Sequence, residues 1–92
     1  MIESFRHKGL KRLFENGDPK GLSAKHVRKI GQILALLDAA EKLADLDYAG
    51  FRLHPLKGDL DGYWSLTVQA NWRIIFHFRR GGASDVDYVD YH

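Results

Sequence analysis

The feature that most constrains this 92-residue sequence is a pair of alternating runs set almost end to end. From Tyr63 to Gln69, Trp64, Leu66 and Val68 alternate with Ser65, Thr67 and Gln69. From Trp72 to Phe78, Trp72, Ile74, Phe76 and Phe78 alternate with Arg73, Ile75 and His77. Period-two alternation marks strands with one buried face, and the short gap makes the two a hairpin. Register follows from the faces, because a one-residue slip sends every side chain to the other side of the sheet. A two-residue turn at Ala70-Asn71 sets Val68 against Arg73 and Trp64 against His77, which mixes the faces. A three-residue turn over Gln69, Ala70 and Asn71 sets Val68 against Trp72, Leu66 against Ile74 and Trp64 against Phe76. Asn71 tolerates the left-handed conformation such a turn requires, so this register is expected. It leaves one strongly apolar face to be covered. The opposite face, with Tyr63, Ser65, Thr67, Arg73, Ile75 and His77, reads as open and ligand-facing.

Two amphipathic helices upstream are the available cover. Leu10, Leu13 and Phe14 recur at helical spacing, with Gly17 placed to close the helix and Asp18 to Gly21 as a loop. Ser23 is the expected N-cap of a longer helix carrying the stripe Val27, Ile30, Ile33, Leu34, Leu37 and Ala40. Gly31 weakens that helix, and its pattern extends towards Leu43 or Leu46 before Asp47 to Gly50 break it. Ile2 to Arg6 reads as a weak strand, and Phe51 to Gly62 as an irregular loop carrying Arg52, His54 and Lys57. After the turn at Arg79 to Gly82 comes a last strand, Asp85 to Val89, followed by Asp90, Tyr91 and His92. Running back antiparallel, it brings those three residues level with Arg73. Val86 and Tyr88 share a parity with Asp90 and His92, and Val89 shares the other with Tyr91; a bulge is one way to reconcile the two. The expectation is a compact α+β fold, one domain over residues 1–92, with two main N-terminal helices on one face of a small antiparallel sheet.

With no cysteine, the chain has neither a disulfide framework nor a thiolate zinc site. No apolar run approaches the roughly 20 residues of a membrane span, and the first residues lack a signal-peptide core, so a cytoplasmic protein without a membrane partner is expected. Net charge is only +2, but it is uneven. Residues 1–30 carry eight Lys and Arg against three acids, residues 31–62 three against six, and residues 63–92 three of each. A basic first third suits a polyanion, and it equally suits a solvated helix surface.

His7, His26, His54, His77 and His92 show no metal-ligand spacing, and no metal or cofactor is expected. Phosphate-loop, nucleophile-elbow and dinucleotide motifs are absent. What remains is Arg73, Asp90, Tyr91 and His92, with His54 and Lys57 from the loop. Cutting RNA without metal needs a base for the 2′-OH, a cation for the phosphorane-like transition state and an acid for the leaving 5′-oxygen. Imidazole and guanidinium suit those tasks. A surface ion pair of Arg73 with Asp90, beside two exposed histidines, would account for the same residues.

Residues 2–10 (Ile-Glu-Ser-Phe-Arg-His-Lys-Gly-Leu), Leu53-His54-Pro55-Leu56-Lys57-Gly58-Asp59, Gly62 to Val68, Asn71-Trp72-Arg73-Ile74 with Phe76, and the closing Asp90-Tyr91-His92 together resemble the HigB toxin family. That family belongs to the RelE-like toxins of bacterial toxin–antitoxin pairs. The resemblance implies an mRNA endoribonuclease (mRNA interferase) that cuts translated message in the A site of the 70S ribosome without metal. It also implies neutralisation by a HigA-type helix-turn-helix antitoxin. On this sequence it makes His92 a general base or acid and His54 a second proton-handling group. Asp90 orients a histidine, Tyr91 positions or stacks on RNA, Arg73 holds the scissile phosphate and Lys57 assists. The basic first third becomes a ribosomal RNA contact, with salt-sensitive affinity. Two other readings keep the fold and drop the chemistry: a module that blocks RNA or the ribosome without cutting, and a relative that serves only to bind an antitoxin. The intact set of site residues favours the enzyme.

Overall fold

The computed structural model describes all 92 residues, Met1–His92. Two helices, α1 (Lys8–Asn16) and α2 (Val27–Ala39), precede four strands: β1 (His54–Pro55), β2 (Trp64–Gln69), β3 (Trp72–Arg79) and β4 (Gly82–Asp90). The strands pair antiparallel in the order β1-β2-β3-β4. Leu10 from α1 and Ile30, Ile33, Leu34 and Leu37 from α2 pack on the apolar sheet face, against Leu66, Val68, Ile74, Phe76 and Val86. This is the expected α+β arrangement, and its driving force is burial of these side chains.

Local chemistry adjusts the expected boundaries. His7 caps α1, its Nδ1 accepting from the backbone N–H groups of Gly9 (3.0 Å) and Leu10 (3.3 Å), and Gly17 closes the helix at φ 69 as expected. Ser23 does not cap α2. Its carbonyl accepts from His26 N–H in a preceding turn, and α2 starts at Val27, after the imidazole of His26 has entered the core. Nor does α2 reach Leu43: Ala40 turns extended, and Leu43–Leu46 form a separate 3₁₀ turn. Asp45 anchors that turn by accepting from Glu41 and Lys42 N–H, and those bonds lower its pKa. Ile2 to Arg6 forms no full strand. It runs parallel to β4 through bridges at Ala83 and Val86, covering the sheet edge. A side chain at Gly31 would meet nothing within 4 Å. Gly31→Ala should therefore raise unfolding free energy by up to about 1 kcal/mol, the propensity difference, in a urea titration.

The hairpin combines features of both candidate turns. Trp64 pairs with Phe76 and Leu66 with Ile74, as expected, but Gln69 rather than Val68 pairs with Trp72. The turn is the two-residue Ala70-Asn71, with Ala70 at φ 51, and Val68 is the extra residue of a bulge. The bulge keeps the apolar faces aligned across a turn that otherwise mixes them.

A second bulge settles the facing of the tail. Ile75 pairs with Asp87 but His77 with Ser84, so β4 carries one extra residue at Asp85-Val86, with Asp85 at φ 51. Ala83, Val86 and Tyr88 thereby all reach the core. Beyond the bulge, Tyr88 and Asp90 share the helix-side parity, and Val89 and Tyr91 the other.

Candidate active site

The face away from the helices is not wholly open. Leu56, Tyr63 and Ile75 form a small buried cluster on it, with Leu60 and Val89 packed alongside. The cover is the 51–62 segment, which is more ordered than its sequence suggests. His54 pairs with Ser65 and Pro55 with Trp64, and Gly58–Leu60 form a 3₁₀ turn. His77 Nδ1, 3.0 Å from the Gly62 carbonyl, ties that segment to β3. Arg6 donates to the Tyr63 hydroxyl at 3.3 Å; that bond, ahead of the Asp87 carboxylate 4.0 Å away, raises the Arg6 pKa.

Where this cover stops, a cavity of about 310 Å³ opens. His54 and Arg52 line it from the loop, Thr67 and Ser65 from β2, Arg73 from β3 and Tyr91 from the tail. Each position follows from the sheet. Arg73 pairs with Thr67 on one side and Val89 on the other, and Tyr91, two residues past Val89, lies on the same face. The Tyr91 N–H donates to the Asn71 carbonyl at 2.8 Å, extending the β4 ladder past Asp90. Arg73 is itself fixed, one guanidinium nitrogen donating to the Ala70 carbonyl at 2.8 Å. No carboxylate lines the cavity. Two guanidiniums and an imidazole without a counter-charge make a receptor for an anion.

Of the sequence-derived site residues, His54, Arg73 and Tyr91 come together here. Asp90 and His92 lie outside the lining. Asp90 sits opposite Trp72, and its carboxylate faces His92 Nδ1 at 3.2 Å. A carboxylate only accepts, so Nδ1 is the donor in that contact. Lys57 is exposed on the loop beyond Leu56 and does not line the cavity. The Arg73–Asp90 ion pair, the bland account of these residues, does not form. Arg52, named in the sequence only as one cation of the irregular loop, joins the site here; its backbone is left-handed, at φ 51.

His26 is a further functional-looking group with a structural role. Its ring is buried, with Nε2 2.8 Å from the Gln69 amide oxygen and Nδ1 2.6 Å from the Tyr88 hydroxyl. Trp72 stacks on Tyr88 at 4.7 Å, so the cluster ties α2 to the strand ends that carry the cavity. Nε2–H donates to Gln69, and Nδ1 accepts from Tyr88. Burial, opposed by a backbone hydrogen bond from Ser23, raises the Tyr88 pKa. A raised pKa favours the neutral phenol in the fold. That contribution is whole below the unfolded-state value of 10.0 and is lost as pH climbs through the higher folded value. Tyr88→Phe should cost about 1–3 kcal/mol at neutral pH, because His26 Nδ1 loses its donor. It should also remove this part of the alkaline loss, as followed by denaturation at neutral and alkaline pH.

Helices on one face of a small antiparallel sheet, with a cationic cavity on the other, make this an α+β protein with an anion-binding site. The solved structure "YoeB-YefM complex from Staphylococcus aureus" contains a chain of the same fold: TM-score 0.57 at 22% identity, covering 100% of this chain and 95% of that one. A family model described as "RelE-like toxin of type II toxin-antitoxin system HigB" matches residues 3–92. A curated relative, "Endoribonuclease HigB" of Proteus vulgaris, is 51% identical over 92 residues and is aligned over 100% of both chains. The chain belongs to the HigB-like toxins of type II toxin–antitoxin systems. None of its helices is long and apolar enough to cross a membrane.

Proposed function

We propose that this toxin is an endoribonuclease that cuts translated mRNA in the ribosomal A site, in the cytoplasm, and that the cavity at Arg73 is its cleavage site. The observation that carries the reading is the convergence of His54, Arg73 and Tyr91 on one cavity without carboxylates. The relative's name, an endoribonuclease, supports the activity.

The steps follow from the groups. Tyr91, 37% exposed at the rim, offers a ring on which a base of single-stranded RNA stacks. Arg73 binds the scissile phosphate and stabilises the charge that builds on its oxygens. His92, its Nδ1–H held by Asp90, takes the 2′-OH proton at Nε2. The 2′-oxygen attacks phosphorus, forming a 2′,3′-cyclic phosphate as the bond to the 5′-oxygen breaks. His54 protonates that 5′-oxygen and leaves a 5′-hydroxyl. Lys57 adds positive charge on the approach, and Lys25 and Arg28, both exposed, face ribosomal RNA. Chelator at a concentration that leaves ribosomes intact does not stop a reaction carried by these side chains. A HigA-type helix-turn-helix antitoxin is the proposed neutralising partner.

The test is primer extension on a defined message with purified toxin and translating ribosomes. New 5′ ends inside codons, present only when the message is translated, are expected. An uncut message under full ribosome occupancy overturns the reading.

A further inference from the structure

A second cavity, of about 410 Å³, adjoins the first. The two share Arg52, Thr67 and Arg73, and the second adds Lys29 from α2 together with Gln69 and Ala70 from the hairpin turn. No carboxylate lines either one, and none of Lys29, Arg52 or Arg73 takes part in an ion pair. Three cations thus stand around one continuous depression with no internal partner for their charge.

Each is held there by something specific. The Lys29 ammonium lies 5.5 Å from the Phe51 ring centroid, a cation–π contact that anchors its flexible stem. Arg52 follows Phe51 in a left-handed conformation, φ 51, unusual for a residue with a side chain. Its N–H donates to the Tyr48 carbonyl, and the Phe51 carbonyl accepts from Thr67 N–H, so this backbone is pinned between the loop and β2. Arg73 stands at the junction, one guanidinium nitrogen on the Ala70 carbonyl. One phosphate at Arg73 leaves Lys29 and Arg52 unused, and RNA brings a chain of phosphates.

We propose that Lys29 and Arg52 form a second phosphate subsite, which holds the phosphodiester next to the scissile one in the same RNA strand. The inference rests on the proposed cleavage site and adds to it a device for setting register: two neighbouring phosphates gripped at once fix which linkage lies at Arg73. Ribosomal RNA could offer the same phosphate chemistry, and the test separates the two sources.

The measurement is toxin affinity for 70S ribosomes programmed with a message whose A-site codon carries 2′-O-methyl groups, which prevent cutting and fix the register. Messages with a neutral methylphosphonate at single linkages are compared. At one linkage flanking the scissile one, the substitution should weaken wild-type binding about tenfold, the size of a hydrogen bond to a charged group. Lys29→Ala/Arg52→Ala should weaken binding to the unmodified message by a similar factor or more, and the methylphosphonate should then cost nothing further. Unchanged affinity in the double variant overturns the subsite. Losses that multiply also overturn it, since the cations then contact ribosomal RNA instead. In parallel, wild-type toxin is given a message with free 2′-OH groups. If that message stays uncut, the cleavage reading fails, and the subsite for its substrate falls with it. If it is cut while the variants bind normally, the subsite alone fails.

Discussion

Arg73→Ala is expected to slow cleavage of translated message by about 10²- to 10³-fold, the usual cost of removing one donor aimed at developing transition-state charge. Arg73 lines the cavity floor on β3 between Thr67 and Val89, and its guanidinium is oriented by the Ala70 carbonyl rather than by an acid. The full positive charge therefore stays available to the phosphate. Lysine supplies a single ammonium and no fork, so Arg73→Lys should recover only part of the rate. The fold should be nearly indifferent, because Arg73 makes no ion pair and is not a core residue. Single-turnover rates, beside a denaturation curve for each variant, check both statements. A folded Arg73→Ala variant that cuts at the wild-type rate removes the phosphate role.

The second large effect belongs to the two histidines. His92→Ala and His54→Ala should each lower the rate by about 10²- to 10⁴-fold, the range for a positioned proton-transfer group. The structure gives them different surroundings. His92 lies beyond the last ladder bond of β4 and is oriented only by Asp90, so Asp90→Asn should also slow the reaction, by weakening the hold on Nδ1–H. His54 has its backbone set by pairing with Ser65, and it lines the cavity itself. A scissile linkage with sulfur in place of the 5′-oxygen separates their roles, since a thiolate leaves without protonation. Sulfur should restore most of the rate to His54→Ala and little to His92→Ala. The opposite pattern exchanges base and acid.

Much of this arrangement is legible in the sequence because it rests on periodicity. Alternation in β2 and β3 is enough to pair Trp64 with Phe76 and Leu66 with Ile74, and the antiparallel return is enough to bring the tail to Arg73. The bulges are less legible. Each inserts one residue, at Val68 and at Asp85-Val86, and is stabilised by packing across the sheet that no local pattern encodes. The second bulge decides that Tyr91 meets the cavity and that Asp90 takes the other parity. His26 escaped for a related reason. A lone histidine before a helix gives no sign that Gln69 and Tyr88, 43 and 62 residues away, will satisfy both ring nitrogens. Arg52 sits in a stretch without periodicity, so no local pattern says which way its side chain turns.

The central claim is that the 2′-oxygen of the message attacks its own phosphate in the cavity at Arg73. Its most direct test is a single 2′-deoxy substitution, placed on the 5′ side of the mapped scissile bond in a message translated with wild-type toxin. The account predicts that cleavage at that bond disappears, and that the unsubstituted message yields 2′,3′-cyclic phosphate and 5′-hydroxyl ends. Undiminished cutting of the deoxy-substituted bond would contradict it.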